Sequence, residues 1–312
     1  MGEASPLRCA PSDESVAARA GRRAVGQPRR KALQTKEILC KSLITPSGLA
    51  DYCINPYVGC EHGCRYCYAR YMKRFTGHAE PWGEFVDVRI NAPEVIEREV
   101  HRKPRGLSRA KPRGRVFIGS VCDAWQPLEE RYRITRECVK ILAESGWPFC
   151  ILTKNALVQR DLDIVRGAGA DIGVTVTASD ESIREKIEPR ASPTLQRIEV
   201  LREAGRLGIS IWVFLGPFIP GLTDTEENLD SLMSQISDLP ITHFYVDRLN
   251  FRSGVASSLR GVIGQHFPQI LPTFEEVTYD PQADRAYQQR LGRLARKLAR
   301  RHGIENKMKC GF

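Results

Sequence analysis

Short apolar runs alternate with segments of helical period along most of the chain. Six runs rich in β-branched and aromatic residues predict strands, and the segments between them carry apolar residues three or four positions apart, which predicts helices. The predicted strands are Tyr52–Val58, Val116–Gly119, Phe149–Thr153, Ile172–Thr177, Ile209–Leu215 and His243–Val246. The predicted helices cover about 93–103, 129–145, 156–167, 192–207 and 225–237.

This alternation indicates parallel strands joined by right-handed crossovers, and hence an α/β fold. Six strands suit either an open doubly wound sheet or an incomplete barrel of the (β/α)6 kind. Both architectures place functional loops at the carboxyl ends of the strands, so candidate chemistry is expected there.

Two basic segments flank the α/β body. Residues 1–36 are rich in Arg, Ala, Ser, Gly and Pro, which predicts a disordered arm. The C-terminal segment has apolar residues at helical spacing on an Arg-rich background, which predicts a basic amphipathic helix: Tyr287, Leu291, Leu294 and Leu298. We therefore divide the chain into an arm (1–36), a core (37–281) and a helical extension (282–312).

The net charge of +10 is carried by the two ends. Residues 1–36 have a net charge of +5 and residues 282–312 a net charge of +7, which leaves the central body at −2. The segment 101–115 adds seven Lys or Arg and no acid. This distribution favours electrostatic attraction to nucleic acid, and solvated basic tails and loops are the alternative interpretation.

Hydropathy and cysteine usage indicate the class of protein. No stretch approaches the roughly 20 apolar residues of a membrane span, so no membrane partner is expected. The first residues lack the apolar segment of a secretory signal, which predicts a cytoplasmic protein whose ten cysteines are reduced. The sequence carries no signal for an oligomeric state.

The strongest chemical signal is a cysteine array directly after the first predicted strand. Cys60, Cys64 and Cys67 form a CxxxCxxC spacing, and thiolates are soft ligands for zinc or iron–sulfur clusters. A structural zinc site normally takes four protein ligands, which His62 or Cys53 would have to complete. A three-thiolate 4Fe–4S cluster instead leaves one iron open for a small molecule.

The array resembles the signature of the radical S-adenosylmethionine (SAM) superfamily, with Tyr66 at its usual aromatic position. More of the chain is similar to the spore photoproduct lyase-like branch, also described as DNA repair photolyase-like. The similar stretches are NPYVGCEHGCRYCYAR, GSVCDAWQPLE, LTKNALVQRDLD, VTVTASDESIREKIEPRASPTLQRIEVL, GPFIPGLTD and FYVDRLN. The resemblance implies a partial (β/α)6 barrel of the TIM type.

The resemblance also implies the cofactors. Cys60, Cys64 and Cys67 would bind a 4Fe–4S cluster, and SAM would chelate its open iron. Electron transfer from a reductant such as flavodoxin or ferredoxin would cleave SAM to methionine and a 5′-deoxyadenosyl radical, which abstracts hydrogen from a substrate.

Further site residues are implied at the ends of later strands. Lys154 resembles the family lysine that meets the SAM carboxylate. Ser120 and Asp123 stand where the family places SAM contacts, and Thr175 and Thr177 lie on the fourth strand with the same face in reach. Arg190 would bind SAM or substrate, and a surface ion pair is the alternative for it.

One position departs from the family pattern. Spore photoproduct lyases carry a Cys-Thr-Ser-Asp run whose cysteine quenches the product radical, whereas this chain has Ser120-Val121-Cys122-Asp123. Residues two apart on an extended segment share a face, so Cys122 is a candidate hydrogen donor, and an inert thiol is the alternative. Cys310 is a second candidate redox thiol, for which a flexible terminus is the alternative interpretation.

Three functional hypotheses follow. The first is a lyase-like or repair-like radical reaction on a nucleic-acid lesion. The second directs the same radical chemistry at a peptide, a tRNA or a small metabolite. The third is a non-catalytic nucleic-acid-binding protein stabilised by a metal.

Overall fold

The computed structural model describes residues 32–101 and 114–310, the side chain of Cys310 excepted. The strands are β1 Gln34–Ile38, β2 Thr45–Pro46, β3 Tyr52–Ile54, β4 Tyr57–Val58, β5 Phe85–Arg89, β6 Val116–Ile118, β7 Phe149–Thr153, β8 Asp171–Val176, β9 Ser210–Phe218, β10 Ile241–Arg248 and β11 Met308–Cys310. The α-helices are α1 Ala92–Val100, α2 Glu129–Tyr132, α3 Ile134–Glu144, α4 Leu162–Ala168, α5 Glu181–Ile187, α6 Thr194–Arg206, α7 Glu226–Ser237, α8 Val255–His266, α9 Leu271–Tyr279 and α10 Pro281–Arg301.

The main sheet has eight strands in the order β11-β10-β9-β8-β7-β6-β3-β2. All neighbouring pairs are parallel except β2 and β3. From β3 to β10 the spatial order follows the chain order without reversal. A doubly wound sheet requires a reversal at its switch point, so that alternative is excluded.

Each predicted strand contributes a segment to this sheet, with small shifts at the ends of five of them. The first run is interrupted, because Tyr52–Ile54 pairs with β6 whereas Tyr57–Val58 pairs with β5. This break turns the chain out of the main sheet just before the cysteine array.

A second sheet of order β1-β5-β4 lies beside the array. Residues 34–36, which we assigned to the disordered arm from composition, belong to β1 and pair in register with β5. Their side chains are exposed, so backbone pairing holds them in place and composition gives no sign of it. Of the remaining predicted arm, residues 1–31 lie outside the described residues.

Several helices differ from the pattern-based prediction. The predicted helix 129–145 is broken at Arg133, whose positive φ of 54° separates α2 from α3. The segment Ala156–Asp161 is a 3-10 turn that precedes α4. Helices α5, α8 and α9 are short or weakly amphipathic and were not predicted.

The C-terminal helix α10 packs on the body through its apolar positions, with Tyr287, Leu291 and Leu298 buried. Its basic face meets acidic groups of the core: Arg290 contacts Asp224 at 2.9 Å, Lys297 contacts Glu226 at 2.8 Å and Arg301 contacts Asp230 at 3.1 Å. These ion pairs partly neutralise the basic face of the helix.

Side chains of the parallel strands alternate between the two faces of the sheet, with register irregularities where β9 pairs with β10. Ile118, Ile151, Val174, Val213 and Phe244 point outwards into a buried core beneath the helices. Burial of each such side chain is worth roughly 1.5–3 kcal/mol. In the part of the chain that the structure describes, no helix is both long and apolar enough to cross a bilayer.

Candidate functional site

The cysteine loop, residues 59–67, follows β4 and is closed by two turns. The Gly63 amide donates to the Cys60 carbonyl at 3.3 Å, and the Cys67 amide donates to the Cys64 carbonyl at 3.2 Å. All three cysteines line one cavity of about 1080 Å³ on the inner side of the sheet. The loop therefore presents three thiols to a common space.

Gly83, which lies outside the cysteine loop in the sequence, packs closely against Gly63 of the loop. Gly63 and Gly83 both have positive φ, and a Cβ added to Gly83 would lie 2.6 Å from the Gly63 Cα. No side chain fits between two backbones that approach this closely. The close approach of Gly83 to Gly63 is a tertiary contact that local sequence patterns do not indicate.

Residues 187–190, which we call the clasp, grip the cysteine loop. The Arg65 amide donates to the Ile187 carbonyl at 2.8 Å, and the Tyr66 hydroxyl donates to the Glu188 carboxylate. Arg190 donates to the carbonyls of Glu61, at 3.2 Å, and of Gly83. The clasp thus fixes both the backbone and the aromatic residue of the loop.

Glu188 forms a fully buried ion pair with Arg197 of α6. Burial opposes the charge of Glu188, but the Arg197 guanidinium outweighs it and holds the pKa of this carboxyl below its ordinary value. Arg197 also donates to the Thr175 carbonyl at 2.9 Å. A buried charge network therefore connects the clasp, Tyr66 and strand β8.

Asp123 is the centre of a second polar network. Its carboxylate accepts from the Thr153 hydroxyl at 2.7 Å and from the Lys154 amide at 2.8 Å. The His62 ring lies 3.4 Å away. Burial opposes its charge, but His62 and Lys154 together hold the pKa of Asp123 below its ordinary value. The network joins the ends of β6 and β7 to the cysteine loop.

Asn55 organises the segment that contains the candidate hydrogen donor. Its amide donates to the Ser120 hydroxyl at 3.0 Å and its carbonyl oxygen accepts from the Val121 amide at 2.9 Å. The Cys122 thiol donates to the same oxygen at 3.6 Å. Sequence reasoning assigned no role to Asn55, although a polar residue at the carboxyl end of a strand was a usable signal.

The Cys122 side chain is buried and lines the cavity. Burial raises the pKa of its thiol to about 12. At neutral pH the sulfur therefore carries a hydrogen atom.

Lys154 places a cation in the cavity. Its Nζ lies 5.8 Å from the centre of the Tyr66 ring. Burial opposes the charge, but Cys64, Glu188 and Asp123 outweigh that effect and raise the pKa of the lysine. A protonated amine beside the thiols suits an anionic ligand group.

The donor set fits an iron–sulfur cluster better than a zinc ion. Among residues 32–101 and 114–310, no three His, Cys, Asp or Glu side chains converge to hold a single metal ion. His62 is engaged with Asp123, and Cys53 lies in a separate cluster with Phe117 and Cys150. A cluster takes each thiolate on a different iron, so its ligands need not converge on one point. Burial raises the pKa of all three thiols, so cluster binding must displace their protons.

The sequence profile of the radical SAM superfamily matches residues 54–233, more than half of the chain. The chain belongs to the radical SAM superfamily. A protein of Methanocaldococcus jannaschii with no assigned function is 30% identical over 237 residues, which cover 75% of this chain and 83% of that protein. A protein of Acidianus two-tailed virus is 26% identical over 268 residues, 82% of this chain and 81% of the relative.

This radical SAM protein also shares its fold with a solved spore photoproduct lyase in complex with dinucleoside spore photoproduct. The two superpose with a TM-score of 0.64 at 15% identity, over 89% of this chain and 82% of the lyase. The resemblance to the superfamily stated from the sequence is confirmed. As a radical SAM enzyme, the protein uses a 4Fe–4S cluster and SAM.

The cavity unites most of the predicted site residues: Cys60, Cys64, Tyr66, Cys67, Ser120, Cys122, Asp123, Lys154 and Thr175 all line it. Two predicted cofactor ligands lie elsewhere. Thr177 is buried and donates to the Gly216 carbonyl at 2.7 Å, and Arg190 is engaged by the loop carbonyls. Residues 102–113 of the basic segment and the side chain of Cys310 lie outside the described part of the chain, although the Cys310 backbone pairs with β10.

Proposed function

We propose that this enzyme performs a lyase-like radical reaction on a nucleic-acid lesion, within the cavity that the cysteine loop closes. The observation that carries the proposal is that one cavity joins three thiols, a lysine and the protonated thiol of Cys122. The reaction would take place in the reducing cytoplasm, with electrons from a flavodoxin or ferredoxin.

The inner side chains of all the parallel strands from β6 to β11 line this same cavity, which supports curvature of the sheet into a partial (β/α)6 barrel. Cys60, Cys64 and Cys67 would hold the cluster at the carboxyl end of the barrel. When bound, the cluster and SAM supply a 5′-deoxyadenosyl radical for hydrogen abstraction. Lys154 would neutralise the SAM carboxylate, and Thr175 and Ser120 would contact the cofactor from neighbouring strands.

Two predicted residues take different roles in this proposal. Arg190 and Thr177 do not line the cavity, so we assign them to positioning. Arg190 would fix the cysteine loop through its two carbonyl contacts. Thr177, which lies 3.2 Å from the Tyr66 hydroxyl, would help to fix the tyrosine.

Cys122 would return a hydrogen atom to the product. The high pKa keeps its sulfur protonated, and the contact with Asn55 orients the thiol. In this chain the proposed donor follows Ser120 by two residues, and the side chains of both residues contact Asn55.

The shared fold supports the choice of nucleic acid, because the solved lyase binds a dinucleoside photoproduct. The net charge of +10 agrees with a polyanionic partner. The ion pairs between α10 and the core reduce the positive charge that this helix offers to a polyanion.

The first experiment tests the radical chemistry. Protein reconstituted anaerobically with iron and sulfide is reduced with dithionite in the presence of SAM, and 5′-deoxyadenosine and methionine are quantified. We expect both products from the native chain and neither from Cys64→Ala, whereas Cys138→Ala, a buried cysteine outside the cavity, retains them. Equal yields from Cys64→Ala would contradict the assignment of the cluster ligands.

The second experiment tests the substrate class. UV-irradiated and unirradiated single-stranded DNA are compared at about 50 mM salt, where phosphate contacts are favoured. We expect binding of both and a rise in 5′-deoxyadenosine only with the irradiated strand. Absence of DNA binding by protein that cleaves SAM would redirect the search to peptides, tRNA and small metabolites.

A further inference from the structure

The cavity has a second wall, opposite in character to the cysteine loop. Trp212 and Phe214 of β9, His243 and Tyr245 of β10, and Lys309 of β11 all line it. The strand register places Trp212 beside His243, Phe214 beside Tyr245, and Tyr245 beside Lys309. We call these five residues the aromatic wall.

The rings of the aromatic wall form an ordered set of faces. Trp212 stacks on His243 with ring centres 5.5 Å apart and planes 8° from parallel. Tyr245 stands edge-on to both, 5.8 Å from Trp212 and 5.3 Å from His243. A Cβ on Gly173 would lie 2.4 Å from the indole, so the glycine of β8 makes room for this arrangement.

Part of this aromatic surface is open to the cavity. Phe214, His243 and Tyr245 are half-buried, whereas the outward residues of the same strands, such as Val213 and Phe244, are fully buried. Half-buried rings at inward positions leave apolar faces available for a ligand.

Lys309 supplies a positive charge on this side of the cavity, and its amine lies 5.8 Å from the Tyr245 ring. Among the described residues, no carboxylate lies within 4.0 Å of this amine, whereas Asp171 is paired with Arg115. Asp247, the one carboxyl of β10, also lines the cavity, and burial raises its pKa, which weakens its opposition to an anion.

We infer that the aromatic wall binds a nucleotide of the substrate, with the base stacked on Phe214 and Tyr245 and the phosphate beside Lys309. Aromatic rings stack on every base, and a cation without a partner suits a phosphate. An aromatic peptide side chain would use the rings but not the cation, so the combination favours a nucleotide. The inference deepens the proposed function by naming the residues that select the substrate.

The test measures binding without catalysis. A single-stranded hexadeoxynucleotide is titrated into the anaerobically reconstituted full-length protein in the absence of SAM, and an abasic strand of the same length and charge is the matched ligand. We expect the hexanucleotide to bind more tightly than the abasic strand, because only the former has bases to stack.

Three variants test whether residues of the aromatic wall bind the oligonucleotide. Phe214→Leu and Tyr245→Leu are each expected to weaken hexanucleotide binding by about 5- to 100-fold and to leave the abasic strand unaffected. Lys309→Gln is expected to weaken both ligands and to reduce the salt dependence of binding. Tyr279→Leu removes an exposed ring outside the cavity and is expected to change neither.

Equal binding of the two strands, unchanged binding by both ring variants, or tighter binding of an aromatic peptide would overturn the inference. SAM cleavage by the same protein separates the two proposals. SAM cleavage without base-dependent binding would contradict nucleotide binding by the aromatic wall but agree with the proposed radical chemistry. Base-dependent binding without SAM cleavage would contradict the proposed function but agree with nucleotide binding by the wall.

Discussion

The two sides of the cavity are built on different principles. On the cysteine side, Asp123, Glu188, Arg190 and Asn55 are engaged by neighbouring side chains and by backbone groups of the loops. On the aromatic wall, half-buried rings and Lys309 face open space. The contrast teaches that the side proposed for the cofactor is held by a hydrogen-bond network, whereas the side proposed for the substrate leaves groups open to a ligand, and a fixed cofactor benefits from preorganised ligands.

The largest expected effect comes from removing the charge of Glu188, which pairs with Arg197 on the cysteine side. Glu188→Gln leaves the charge of Arg197 buried without a partner, so we expect a loss of about 3–5 kcal/mol in the free energy of unfolding. Urea denaturation measures this loss. Glu199→Gln, which opens an exposed pair with Arg202 on the same helix, should change stability little. Equal losses of unfolding free energy for the two substitutions would show that the buried pair contributes no more to stability than the exposed pair.

The rigidity of the cysteine loop is tested by filling the space beside it. Gly83→Ala forces a methyl group against Gly63, whereas Gly77→Ala has a similar φ of 73° and nothing within 4 Å. We expect Gly83→Ala to cost about 1–3 kcal/mol more than Gly77→Ala. It should also retain less iron after reconstitution. Urea denaturation and iron analysis of both variants provide the check, and equal iron retention would contradict a loop held by close contact.

The third prediction concerns Cys122, which we propose to donate a hydrogen atom to the product radical. Its thiol hydrogen exchanges with solvent, so reaction in D2O should place deuterium in the product. Cys122→Ala is expected to retain SAM cleavage and to lower this incorporation about tenfold, as detected by mass spectrometry. Cys150→Ala removes another thiol that lines the cavity and should leave the labelling unchanged. Unaltered labelling in Cys122→Ala would remove Cys122 from the reaction.

The smallest expected effect is on the acid side of the stability profile. Because the folded-state pKa of Glu188 lies below its unfolded value of about 4.3, its charge stabilises the fold above that pH. This contribution is lost as the pH falls through the folded pKa. The difference in unfolding free energy between the native chain and Glu188→Gln should therefore be constant from pH 7 to about pH 5 and shrink by pH 3. A constant difference at all these values would show that the pKa of Glu188 is the same in the folded and unfolded states.

The sequence by itself indicated the strands, the two candidate α/β architectures, the cysteine array and the superfamily. Local apolar periodicity encodes strands and helices, and the spacing of Cys60, Cys64 and Cys67 is a local property that no folding is needed to read. The basic helix α10 was likewise visible in its apolar positions. Its ion pairs with Glu226 and Asp230 were not, because the partners lie about 70 residues away.

Only the tertiary structure decided which residues hold the loop and which face the ligand space. Arg190 and Lys154 are both basic residues that the sequence offered as ligands, yet Arg190 contacts the carbonyls of Glu61 and Gly83, whereas Lys154 lines the cavity. The role of Gly83 depends on its approach to Gly63, and the aromatic wall depends on the register of three strands. Such relations arise from the packing of distant segments, whereas sequence patterns report only neighbours along the chain.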